Sequence, residues 1–78
     1  MVSEHPGKTL REALGLSQVD FAARIGITQP HVSSVESGQR GYGIPTILAI
    51  MDRYRPQCVQ LGITAEDLAR GIEDGAEA

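Results

Sequence analysis

SQVDFAARIGITQPHVSSVESG, Ser17 to Gly38, is the stretch on which the fold of this chain turns. Ser17 stands immediately before an apolar periodic run, and Asp20 follows three residues later, a pattern resembling a capping box at a helix N-terminus. Phe21, Ala22 and Ile25 then share one face at helical spacing, and Gly26 stops the helix. Thr28 caps a following helix, in which Pro30 is tolerated because first-turn N–H groups have no partner inside the helix. Val32 and Val35 face inward together, and Gly38 closes the element.

Two short helices joined only by Gly26, Ile27 and Thr28 have the spacing of a helix-turn-helix, here over residues 17–38. Working outward, Met1 to His5 reads as a loose arm, and the arm as a whole is assigned to residues 1–7. Pro6 is acceptable in a first turn, and Lys8 to Leu14 forms a first helix with Leu10, Ala13 and Leu14 on one face, ended by Gly15. Beyond Gly38 comes the glycine-rich loop QRGYG, and Pro45 starts a fourth helix. Its apolar positions Ile44, Ile47, Leu48, Met51 and Tyr54 recur at helical spacing, and Pro56 bends or ends it. Thr64 caps a fifth helix with Asp67 at the capping-box position. Ile63 staples onto Leu68, and Leu68 and Ile72 supply the apolar face. The expectation is an all-α bundle of five short helices, one domain over residues 8–73, followed by a frayed acidic tail at 74–78.

Bulk properties narrow the function. A chain of 78 residues that is 41% apolar folds rather than staying disordered. Domains of this size bury only ~60% of their unfolded surface, so association helps them. Cys58 is the single cysteine, which excludes an intrachain disulfide. No apolar run approaches a membrane span of ~20 residues, and MVSEHPGK lacks a signal peptide's apolar core, so a soluble cytoplasmic domain is expected. The net charge of −3 is unevenly spread. Residues 66–77 carry Glu66, Asp67, Glu73, Asp74 and Glu77 against Arg70, a balance of −4, whereas the residues before them carry six basic and five acidic groups, a balance of +1. Salt screens exposed charges beyond ~10 Å, so an acidic end turned away from a polyanion does not prevent its binding.

On a helical wheel of the third helix, Pro30, Ser33, Ser34 and Ser37 lie opposite Val32 and Val35, with Gln29 at the edge. This outward face carries no charge and no large apolar group, unlike a solubilising surface rich in Lys and Glu. Glutamine can pair with adenine N6 and N7, serine can donate or accept, and Pro30 offers an apolar contact to a thymine methyl. The same face also reads as a plain small polar helix surface.

Leu10 to Arg40 closely resembles the helix-turn-helix of the Cro and phage-repressor family, which includes restriction–modification controller proteins. The marks are Leu16-Ser17-Gln18, Phe21-Ala22, Ile25-Gly26, Thr28-Gln29, Val32, Val35-Glu36 and Gly38, all within 31 consecutive residues. The loop GYG before Pro45 and the segment RPQCVQ before Leu61 depart from that pattern and bear on dimer geometry. The resemblance implies base contacts from Gln29, Pro30, Ser33 and Ser34. It implies phosphate contacts from Gln18, Thr28, His31, Ser37, Gln39, Arg40 and Tyr42. It also implies a largely buried structural salt bridge between Arg11 and Glu36.

The implied function is a sequence-specific transcription regulator, an autoregulatory repressor or controller, that binds a palindromic operator in double-stranded DNA as a homodimer. Tyr54, Val59, Leu61, Leu68 and Ile72 are the expected dimer surface, being more apolar groups than so small a core can hide. Leu68→Glu is expected to break that dimer. The alternative is a protein-binding module on the same fold, an antitoxin or an antiactivator, which the acidic end and the neutral third-helix face keep open. His5, His31 and Cys58 have no metal-ligand spacing, and no nucleophile–base or paired-carboxylate arrangement is present in the sequence. Neither metal, cofactor nor enzymatic activity is expected.

Overall fold

The computed structural model describes residues 4–71 and contains, among them, five helices and no strand. They are α1 (Pro6–Ala13), α2 (Gln18–Ile25), α3 (Gln29–Glu36), α4 (Ile44–Leu61) and α5 (Ala65–Ala69). Helix α2 opens as its sequence requires: the Ser17 hydroxyl accepts the Asp20 N–H at 3.1 Å. It closes on Gly26 at φ 81°, a left-handed conformation that costs glycine little and any side-chain-bearing residue more. Thr28 caps α3 by accepting the His31 N–H.

Two sequence expectations about the chain's ends need correction, and a third, at Pro56, is narrowed to one of its alternatives. Residues 4–7 are not a loose arm, because α1 begins at Pro6 and His5 is its buried N-cap. The His5 Nδ1 accepts the Gly7 N–H at 2.9 Å while its Nε2 meets the Arg70 carbonyl at 2.7 Å. The imidazole is therefore neutral with its proton on Nε2, donating to α5's end. Pro56, next, bends α4 and does not end it, the first of the two outcomes its sequence allowed. The pyrrolidine ring cannot sit over an intact turn, so the helix breaks at Tyr54 (φ −127°, ψ 25°) and resumes, with Pro56 in the first turn of the second segment. Finally, α5 stops at Ala69, and Ile72, assigned to its apolar face, lies outside the described residues, as does the tail at 74–78.

One core unites the helices. Leu10, Phe21, Val32, Val35, Ile50 and Leu68 are fully buried, and Phe21 stacks on Tyr54 with ring centroids 6.2 Å apart. Five residues are too few to hold a helix by themselves, so α5 depends on what its ends touch. Thr64 and Asp67 form a reciprocal capping box at its start. At its other end the Tyr42 N–H donates to the Leu68 carbonyl at 3.0 Å, and His5 takes the Arg70 carbonyl. The α3–α4 loop runs so close to α5 that a Cβ on Gly41 would overlap the Ala69 carbonyl oxygen.

Candidate nucleic-acid interface

Helices α2 and α3 pack directly on each other, and a chain of hydrogen bonds runs across the seam to the start of α3. It begins inside. Arg11 on α1 donates from Nε to Glu36 Oε2 at 2.7 Å and from Nη2 to Oε1 at 3.0 Å, a two-pronged contact matched to the carboxylate. A third donor on Arg11, Nη1, reaches the Leu16 carbonyl at 2.8 Å, fixing the turn before α2. The Glu36 side chain is only 5% exposed, so its charge requires these partners. Hydrogen bonding to Glu36 raises the Arg11 pKa above its ordinary value, with burial opposing.

Glu36 also accepts from Gln18 Nε2 at 3.0 Å, and Gln18 Oε1 in turn accepts from Gln29 Nε2 at 2.6 Å. Each amide in this relay has one possible orientation, since a carboxylate only accepts. The Gln29 carbonyl oxygen and its second N–H have no partner among the described residues. A glutamine carboxamide offers the donor and acceptor types that adenine's major-groove edge takes. Gln18 has one N–H without a partner among the described residues, and its carbonyl oxygen holds the Gln29 amide. The relay was not legible in the sequence, where Gln18 and Gln29 were separate assignments.

Pro30 and Ser33 are exposed and Ser34 half-exposed on the same helix. Thr28 uses its hydroxyl as the cap, and Ser37 donates to the Ser34 carbonyl at 3.1 Å. Gln39 and Arg40 are exposed just beyond α3.

Four assigned side chains are elsewhere. Tyr42 is buried, its ring against His5 and His31 at 6.2 and 5.9 Å, and its hydroxyl has no partner among the described residues. Burial pushes its pKa up, and a buried phenol cannot contact a phosphate. His31 turns Nε2 away from solvent towards this cluster, and burial, then Arg40, lowers its pKa. Its ring thus packs on this cluster, which disfavours the charged form that would draw a phosphate. Tyr54 and Leu68 are core residues, at 9% and 0% exposure, because the break in α4 and the docking of α5 turn them inward. They cannot form a dimer surface, and Leu68→Glu would unfold the domain. Of that set only Val59 and Leu61 are exposed among the described residues.

A family model described as Helix-turn-helix matches residues 8–55, more than half of the chain. The chain belongs to the helix-turn-helix family of Cro and phage-repressor type. At the level of that family it is a DNA-binding transcription regulator. The match ends just past the break at Tyr54, so His5, the second segment of α4 and α5 lie outside it. No curated protein and no solved structure gives a significant match to the chain. Among the described residues, no helix is long and apolar enough to cross a membrane.

Proposed function

We propose that this regulator reads a palindromic operator as a homodimer, one α3 per half-site, and controls its own promoter. Gln29, Pro30, Ser33 and Ser34 face the base edges, while Gln18, Thr28, Ser37, Gln39 and Arg40 meet the phosphates. The observation that carries this reading is the relay Arg11–Glu36–Gln18–Gln29, which holds one carboxamide in a single orientation at the start of an uncharged helix face. A buried ion pair is a costly way to fix a half-exposed amide unless that amide reads something. The acidic balance of the whole chain does not oppose it. Helix N-termini and neutral amides and hydroxyls supply phosphate donors without a lysine-rich surface.

The test is a titration of the DNA upstream of the protein's own reading frame, against scrambled DNA, at several salt concentrations. Specific binding with two protomers per site is expected, with affinity falling as salt rises. Gln29→Ala is expected to lose preference for the specific fragment while retaining binding to scrambled DNA. Equal affinity for both fragments in the parent protein, even at low salt, would refute the reading and favour a protein-binding role.

A further inference from the structure

We infer that two copies of this chain join through α4, antiparallel, with Leu48 packed on Val59 of the partner subunit and Asp52 paired with Arg55 of the partner subunit. This rests on the homodimer reading above and names its surface. Leu48 and Asp52 lie one helical turn apart before the break at Tyr54, and Arg55 and Val59 lie one turn apart after it. All four are exposed, Leu48 at 64% and Val59 at 73%, unusual values for large apolar side chains. Leu48, Arg55 and Val59 line one groove that spans the break, and Asp52 is exposed one turn from Leu48.

The occupant follows from the order of the side chains. In chain order the four read apolar, acid, base, apolar, balanced about the midpoint between Arg53 and Tyr54. A twofold axis through that midpoint reverses the second copy. It brings Leu48 opposite Val59 at both ends and Asp52 opposite Arg55 twice in the middle. Every contact is self-complementary, as an isologous interface demands. A parallel pairing would instead set Asp52 on Asp52 and Arg55 on Arg55, which is repulsive. Neither Asp52 nor Arg55 has an ion-pair partner among the described residues, so both charges are free for the second copy.

Sedimentation equilibrium tests this on the full chain. Asp52→Arg alone and Arg55→Asp alone each set like charges opposite one another twice per dimer, and each should weaken association by about tenfold or more. An equimolar mixture of those two variants restores opposite charges across the seam and should form a mixed dimer nearly as tight as the parent. Val59→Glu should give a monomer. Because all these side chains are exposed, the circular dichroism spectrum and melting of the monomer should be retained. A parent protein that is monomeric throughout the accessible concentration range overturns the inference. So does a dimer indifferent to both charge reversals, or a mixture no tighter than either variant alone. Operator binding measured on the same proteins separates the two levels. Two protomers per operator with α4 variants unaffected leaves the regulator reading intact and removes this surface. Charge-reversal rescue without any operator preference keeps the surface and removes the regulator reading.

Discussion

Replacing Arg11 by alanine tests the most heavily connected side chain of the domain. The substitution removes the contacts at 2.7 and 3.0 Å to Glu36 and the one at 2.8 Å to the Leu16 carbonyl. Glu36, at 5% exposure, is left with the single donor from Gln18. Removing one partner of a buried pair costs ~3–5 kcal/mol, because the other charge stays behind unpaired. Arg11 itself is 12% exposed, so water can reach part of the vacated space, and the lower figure, about 3 kcal/mol, applies here. For a domain of this size each kcal/mol moves the melting temperature by ~4–8 °C, so a drop of ~12–24 °C is expected in a thermal scan by circular dichroism. Converting both members to methionine, Arg11→Met with Glu36→Met, removes the stranded charge and should recover part of the loss, since buried pairs are replaceable by apolar groups of similar volume. A single variant that melts within a few degrees of the parent would refute the reasoning. So would a double variant as unstable as the sum of the two singles.

Three further expectations follow from the interior. His31 has a folded pKa below its ordinary value of 6.5, so the unfolded chain binds the extra proton first. Its contribution to stability is therefore fully present above that value and declines as pH falls through it. Urea titrations from pH 7.5 to 5 should show a shallower decline for His31→Phe than for the parent, and parallel curves would count against it. Tyr42→Phe deletes a buried hydroxyl with no partner among the described residues, so melting should stay the same or rise and DNA affinity should not change; reduced affinity would reinstate Tyr42 as a phosphate contact. Gly41→Ala places a methyl group against the Ala69 carbonyl and should destabilise by about 1–3 kcal/mol through overpacking, detected as a lower midpoint in urea. An unchanged midpoint would mean that the loop and α5 can separate at no cost.

Much of the DNA-reading unit was written locally. Ser17, Gly26, Thr28 and Pro30 act on backbone groups within a turn of themselves, and the caps and the left-handed Gly26 occur where those residues stand. Phe21, Val32 and Val35 are buried because a helical period puts them on one face. His5 escaped such a reading because its carbonyl partner, at Arg70, is 65 residues away. The pattern His5-Pro6, a polar residue before a proline suited to a first turn, could have signalled an N-cap, but not its second bond.

The sequence by itself determined where helices start and stop and which face of α3 is left polar, since those follow from bonds and periods spanning a few residues. Only the tertiary structure decided the rest. Apolar periodicity says that Tyr54, Leu68 and Val59 are hydrophobic, but burial depends on which neighbouring helix arrives. The break at Tyr54 and the docking of α5 send the first two into the core and leave Val59 outside. Gln18 and Gln29 likewise become one unit only when α1 carries Arg11 to Glu36. The orientation of an amide is fixed by the charge at the far end of its hydrogen-bond chain, and that charge is distant in sequence.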